Sequence, residues 1–306
     1  MSGALAVTGA NGFLGRAVVA AARAAAGGPV TALSRRGEDG TIACDLSAPD
    51  AAAALVPHLR GARAVIHAAA ATTGDAARMA RDTAAATDAV LVAMRGAGVA
   101  HLVLVSSFSV YDVAGMADGD TLSEASPLVD AGAAPDGYAA AKRAQEDAAR
   151  AAAGEGGPAV TLARPGAIHG PGRDWSAQVG FRLGGGRVLC PAARGRVPAI
   201  HVDRCAEALL RVADDPPPAG AVRAVNLVDP DPPTRADWTR ALGLRPVGVP
   251  LGPVLALAAP LGRRDRFAAR FRPVTYDDAA MRALMAGAPP ARPFARALAA
   301  DRDAAR

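Results

Sequence analysis

Tyr138 and Lys142 stand four residues apart in YAAAKR, and Lys142 is the only lysine among 34 lysine and arginine residues. Four residues are about one helical turn, so a helix through this stretch sets the phenol and the ammonium on one face. A free phenol, with a pKa near 10, exchanges protons poorly at neutral pH. A neighbouring ammonium favours the phenolate and brings that value toward working pH. An ammonium is a compact point charge that a planar guanidinium does not imitate, so a lone lysine in an arginine-using chain marks a place where its shape matters. Carbonyl reduction is chemistry of this kind: charge gathers on oxygen as hydride reaches carbon, and a positioned acid quenches it.

A second constellation is TGANGFLG, where Gly9, Gly12 and Gly15 follow an apolar run of strand length and open a helical pattern. Glycines at such a junction tighten the turn and bring backbone amides to the pyrophosphate of a dinucleotide at a helix N-terminus. Asn11, Phe13 and Leu14 share that loop and are expected beside the cofactor. Where an acid would bind the adenosine ribose hydroxyls of NAD, the chain reads Leu33-Ser34-Arg35-Arg36. No carboxylate is there to repel a 2′-phosphate and two guanidiniums are available to pair with it. NADP is therefore expected, with NAD as the alternative, and Ser34, Arg35 and Arg36 as contacts.

These residues need a scaffold. Apolar runs at Ala4 to Thr8, Val30 to Leu33, Thr41 to Cys44, Ala64 to Ala69, Leu102 to Ser106 and Ala159 to Ala163 predict strands. Helical patterns lie between them, at about Gly12 to Ala25, Pro49 to Leu59, Asp75 to Gly96 and Gly137 to Ala153. Alternation of this kind builds a parallel sheet from βαβ units. The connection from Tyr111 to Asp136 is long and polar, as functional loops beside strand ends often are. Beyond Pro165 the pattern weakens, although Ala221 to Val228 predicts a further strand. The expected fold is α/β, a Rossmann-type doubly wound parallel sheet over residues 1–165 with a smaller, irregular substrate-binding region over residues 166–306.

Composition narrows the class. With 51% hydrophobic and 21% charged residues the chain is globular,. A net charge of +5 is scattered among acids with only 4% aromatic residues to stack on bases, so nucleic acid is not expected as a partner. The basic run Arg263 to Arg272 follows an apolar stretch broken by Pro250, Pro253 and Pro260, too short to span a membrane,. It reads as a solvated helix edge, with a surface-lying amphipathic segment as the alternative. Cys44, Cys190 and Cys205 lack metal-ligand spacing and read as reduced thiols in a cytoplasm. The N-terminal segment lacks a basic leader and reads as the first strand. His67, His169 and His201 do not have metal spacing, and no metal is expected.

The chain resembles the extended short-chain dehydrogenase/reductases, the NAD-dependent epimerase/dehydratase family. The resemblance rests on TGANGFLG, on Asp45 in CDLS, on VIHAAA at Val65 to Ala70 and on LVSSFSVYD at Leu104 to Asp112. It continues through YAAAK, RPGAIHGPG at Arg164 to Gly172 and HVDRCAEALL at His201 to Leu210. It implies Tyr138 as general acid or base and Lys142 as the residue that holds the nicotinamide ribose and lowers the Tyr138 pKa. Counting back from Tyr111, itself structural, it implies Ser107 as the hydroxyl on the reacting oxygen, with Ser106 as the adjacent choice. It further implies Asp45 and Leu46 by the adenine, Ala68, Ala69 and Ala70 along the cofactor, and Pro165 near the nicotinamide.

The departures narrow the reaction. Ala167 stands where the sugar-nucleotide epimerases commonly have Asn, His169 replaces the usual Tyr, and Phe108 and Ser109 stand where the dehydratases place an acidic pair. Thr83 beside Asp82 stands where a helix Asn is typical. Phe108, Ala167 and His169 are expected near the substrate. The expectation is a carbonyl–alcohol oxidoreductase with a small-molecule substrate and a homodimer through its two long helices. The alternatives are an NAD-dependent nucleotide-sugar epimerase or dehydratase and a non-catalytic NADP-binding regulator.

Overall fold

The computed structural model describes residues 3–25, 28–70 and 76–304. Its first part alternates strand and helix: β1 (Ala4–Thr8), α1 (Phe13–Ala24), β2 (Val30–Ser34), β3 (Ile42–Ala43), α2 (Ala51–Leu59), β4 (Ala62–His67), α3 (Ala76–Ala97), β5 (His101–Val105), β6 (Thr121–Leu122), α4 (Gly137–Ala152) and β7 (Ala159–Pro165). Then come β8 (Ala167–His169), β9 (Phe181–Leu183), β10 (Arg187–Pro191), β11 (Ala199–His201), α5 (Val202–Asp214) and β12 (Val222–Leu227). The chain closes with α6 (Arg235–Ala241), β13 (Arg245–Val249), α7 (Leu251–Ala258), α8 (Arg264–Phe271), β14 (Thr275–Tyr276), α9 (Ala279–Leu284) and α10 (Phe294–Ala304).

Seven strands form the central sheet in the order β12-β7-β5-β4-β1-β2-β3. β1 pairs in parallel with β2 on one side and β4 on the other, and β2–β3, β4–β5 and β5–β7 are also parallel. A sheet covered on both faces buries both sets of side chains. β5 and β7 are accordingly buried along their whole length, which is why they read as continuous apolar runs. The order reverses between β1 and β4, and the crevice outside strand ends at such a switch is where doubly wound sheets take ligands. Leu33, Leu55, Leu59, Val65, Val90, Met94, Leu102, Leu104 and Leu162 pack the sheet against its helices.

The chain divides into two compact units. The first joins residues 1–110, 129–164 and 205–225; the second joins residues 111–128, 165–204 and 226–306. The second unit is built from short strands, with β13-β10-β9 in one sheet and the pairs β11-β8 and β14-β6. Its core holds Val179, Val188, Cys190, Val197, Trp238 and Leu242. The strand expected at 221–228 is β12, and the long loop at 111–136 contains β6 and two single 3-10 turns. The helix α5, which carries much of HVDRCAEALL, was not foreseen, although Val202, Cys205, Ala206, Leu209 and Val212 recur at helical spacing and are buried,.

Candidate active site

The glycine loop leaves β1 at Gly9 with φ +70°, a left-handed conformation that costs glycine nothing. A Cβ on Gly9 would stand 2.7 Å from the Ala69 backbone N, and one on Gly15 would stand 2.1 Å from the Gly9 O. Only glycine lets the loop after β1 lie against the residues that follow β4. Gly12 caps α1 with no side-chain hydrogen bond, and no acid occupies the first turn. A helix N-terminus opened by glycines, with unsatisfied amides and a positive dipole end, suits a pyrophosphate. The residues present fit a dinucleotide. Phe13 and Leu14 begin α1, and Ala68, Ala69 and Ala70 are half-buried beyond β4.

Asn11 and Ser34 brace the next segment. The Asn11 amide donates to Ser34 Oγ at 3.2 Å and to Glu38 O at 3.1 Å, and Ser34 Oγ also accepts from Gly37 N. Ser34 is thus enclosed, 6% exposed, whereas Arg35 and Arg36 reach outward. Arg35 Nε lies 3.6 Å from Asp45 Oδ1 and Arg36 lies 3.5 Å from Glu38 Oε1, all four well exposed. Exposed pairs of this kind contribute little, so both guanidiniums can exchange these partners for a phosphate. Asp45 takes two hydrogen bonds from Ser47, which together with Arg35 hold its pKa below the ordinary value. Leu46 beside it is buried.

The second half of the candidate site lies on α4 and at the end of β5. Asp136 caps α4 by accepting from Ala139 N at 3.0 Å, which fixes the start of the helix that carries Tyr138 and Lys142. Tyr138 is half-buried and Lys142 only 4% exposed. Lys142 Nζ donates to Val105 O at 2.8 Å and to Gln145 Oε1 at 2.9 Å. Its third N–H has no protein partner among the described residues. Burial lowers the Lys142 pKa to about 8, against the opposing pull of Glu146. Ser107 is half-buried and its Oγ accepts from Ser109 N at 3.1 Å, which leaves its own proton to donate. Ser106, the adjacent choice, is 1% exposed and spends its hydroxyl on Glu146 Oε1 at 2.6 Å.

Two buried networks that the sequence did not disclose support this geometry. In the first, Gln145 Nε2 donates to Thr87 Oγ1 at 2.6 Å, and Thr87 Oγ1 donates to Thr83 O at 2.9 Å. His67 joins Thr87 at 3.3 Å through Nε2 and Thr8 at 2.7 Å through Nδ1. Because the Thr87 proton is committed to Thr83, its lone pairs receive the Gln145 amide. The Gln145 carbonyl is thereby turned to the Lys142 ammonium. Burial, with Lys142 nearby, lowers the His67 pKa to about 3, so His67 stays neutral beside the cation. In the second, Arg164 holds both Glu146 oxygens, at 2.8 and 2.6 Å. Burial alone would raise the Glu146 pKa, but the Arg164 fork and Ser106 overcome it and keep the carboxyl below its ordinary value. Spacing offered a signal: Gln145 and Glu146 stand three and four residues after Lys142, on its side of the helix.

In the second unit, Tyr111 is buried and donates to Asn226 Oδ1 at 2.6 Å. Ala167 is half-buried in β8. His169 is 1% exposed, with its ring 4.8 Å from Phe294, 5.3 Å from His201 and 5.8 Å from Trp238. That is a packing position, not one open to a ligand. His201 pairs with Asp301 at 3.3 Å. Pro165, the last residue of β7, is also buried, and in the first unit Phe108 is 6% exposed. Among the described residues no cluster of ligating side chains could hold a metal.

Residues 5–227 match the family described as NAD dependent epimerase/dehydratase. Among solved structures, MoeE5 in complex with UDP-glucose and NAD is 26% identical, with a TM-score of 0.71 over 98% of each chain. The UDP-N-acetylglucosamine 4-epimerase from Bacillus cereus is 18% identical, with a TM-score of 0.72 over the whole of both chains. A short-chain dehydrogenase/reductase superfamily protein from Agrobacterium tumefaciens with bound NAD is 20% identical, with a TM-score of 0.73 over 99% of this chain and 97% of that one. The last two likenesses show the fold. No curated protein matches the sequence.

Proposed function

The chain belongs to the NAD dependent epimerase/dehydratase family, and from that premise we propose that it is an NADP-dependent oxidoreductase interconverting a carbonyl and an alcohol on a small to medium organic substrate. The observation that carries the reading is a buried, network-held Lys142 one turn after Tyr138 on α4, bound to the Val105 carbonyl two residues before a Ser107 hydroxyl that still has its proton to give. A bound nicotinamide dinucleotide would supply the hydride chemistry. The glycine loop and the α1 N-terminus hold its pyrophosphate, and Arg35 and Arg36 pair with a 2′-phosphate. Lys142 turns its remaining N–H to a ribose hydroxyl and biases the Tyr138 phenol toward phenolate. Ser107 donates to the reacting oxygen, and Tyr138 gives or takes the proton at that same oxygen.

A nucleotide-sugar epimerase or dehydratase that retains NAD is the second reading, favoured by the likeness to MoeE5, whose structure holds UDP-glucose and NAD. Fluorescence titration with NADPH and NADH separates the two. Tighter NADPH binding that is lost in Arg35→Ala/Arg36→Ala supports the first. NADH preference, with NAD retained through purification and a melting temperature raised by uridine diphosphate, supports the second. Once a substrate panel read by NADPH absorbance gives turnover, Tyr138→Phe removes it; undiminished turnover in that variant would refute both.

A further inference from the structure

From Pro246 to Gly262 the chain runs for seventeen residues without a charged or hydrogen-bonding side chain. Part of this stretch is core, since Leu251 and Ala258 turn inward and α7 packs on α8. The outer side is different. Leu257 is 77% exposed and Leu261, four residues on, is 67% exposed, the largest exposures among the big apolar side chains described. Pro253, Ala256, Ala259 and Pro260 lie exposed around them. Single exposed leucines are ordinary, but a contiguous apolar tip marks a surface that meets something other than water.

What it meets is indicated by the residues that follow at once. Gly262 reverses the chain with φ +64°, and Arg263, Arg264 and Arg266 then stand exposed at the start of α8 with one acid, Asp265, among them. Arg264 meets Asp265 at 3.5 Å, with both side chains well exposed, which is a weak tie,. No ion pair engages Arg263 or Arg266 among the described residues. We propose that this tip, the outer side of α7 and the turn after it with the arginines that open α8, docks on an anionic lipid surface.

The chemistry fits that partner. Leucines on one side of a short helix can sink to the acyl boundary while guanidiniums alongside reach lipid phosphates. A stretch without polar side chains offers a protein partner no hydrogen bonds to fix a register, whereas a bilayer interface requires none. No described helix is long and apolar enough to cross a membrane, so the attachment is to the surface and reversible.

The test is co-flotation of the full chain with vesicles of phosphatidylcholine alone and with one-third phosphatidylglycerol, at low and at 0.5 M salt, beside light scattering without lipid. The expected result is flotation with the anionic vesicles at low salt, weakened by salt and by removal of phosphatidylglycerol. Replacing Arg263, Arg264 and Arg266 with Ser lowers the partition coefficient about a hundredfold, at about fivefold per arginine. Leu257→Ser with Leu261→Ser lowers it at least about tenfold. All five side chains are exposed, so an unchanged melting temperature shows that the variants fold. Absence of flotation with anionic vesicles overturns the proposal, as does flotation indifferent to both sets of substitutions. Self-association abolished by the leucine substitutions without vesicle binding also overturns it and assigns the tip to a second copy of the chain.

Discussion

Replacing Lys142 with Met should make this protein more tolerant of neutral pH relative to alkaline pH, because the ammonium is held where water cannot reach it. Lys142 is 4% exposed and its pKa falls from 10.5 to about 8 through burial. At 1.36 kcal/mol per pH unit, charging it inside the fold costs on the order of 3 kcal/mol more than charging it in the unfolded chain. Below about pH 8 both states carry the proton and the penalty is fully present. Between pH 8 and 10.5 the unfolded chain binds more protons than the folded one, so stability rises with pH. The penalty is gone above that window. Methionine fills similar space without charge but strips Val105 O and Gln145 Oε1 of their donor, a loss of roughly 1–3 kcal/mol each if they stay unsatisfied. The neutral-pH difference is thus a near balance, while its change with pH is not. Denaturant unfolding of the two proteins at pH 7, 8, 9 and 10 should show the wild type gaining about 2.5 kcal/mol on the variant by pH 10. The comparison isolates one ammonium because the chain has no other lysine, and it is made with Tyr138→Phe in both proteins, since Lys142 is assigned to bias that phenol. A difference that stays flat from pH 7 to 10 would refute the buried-ammonium argument.

Lys142→Arg should remove most turnover while leaving the melting temperature within a few degrees, since the wider guanidinium keeps the charge but not the reach; near-normal activity would contradict the assigned role. Glu146→Gln breaks the ion pair with Arg164 inside the first unit and should cost about 3–5 kcal/mol in denaturant unfolding. The Glu146 pKa is held down in the fold, so its contribution is present above its ordinary value of 4.5, and the gap to the variant should narrow as pH falls below it. Gly15→Ala should abolish dinucleotide binding by titration, because its Cβ would stand 2.1 Å from Gly9 O. Val92 is 56% exposed on α3, which packs against α4; a homodimer through these helices predicts a dimer in light scattering that Val92→Asp converts to a monomer.

Legibility followed burial. Strands such as VTLA in β7 and LVLV in β5 are enclosed on both faces, so their apolar runs announce them, and the glycine turn after β1 is required by contacts that no other residue permits. The second unit is built from strands of two to five residues whose cover, such as Trp238 of α6 and Leu298 of α10, is distant in sequence, and such elements leave no period to read. Within the candidate site, residue type and spacing pointed to Tyr138 and Lys142. Gln145 stands within reach of Lys142 on α4, but the groups that orient it did not show, because Thr87, His67 and Thr8 lie on three other elements. The same reason hides the partner of Ser106: its hydroxyl is occupied by a glutamate forty positions later. His169 misleads in the opposite way, since a polar residue in a matching motif suggests a ligand contact, and only the aromatic rings around it reveal that it packs.

The central sheet is completed late. β7 ends at Pro165, but its outer neighbour β12 begins at Val222, so roughly 60 residues must still be synthesised before that edge is covered. At ~5–20 residues per second the nascent sheet presents one unpaired edge of AVTLARP, a strand buried along its whole length in the fold, for about 3–12 s. A ribosome paused in this interval displays a surface suited to trigger-type chaperones. A gene fragment ending near residue 165 carries the glycine loop and the helix of Tyr138 and Lys142 yet leaves the same edge permanently bare, and inclusion bodies are its expected fate.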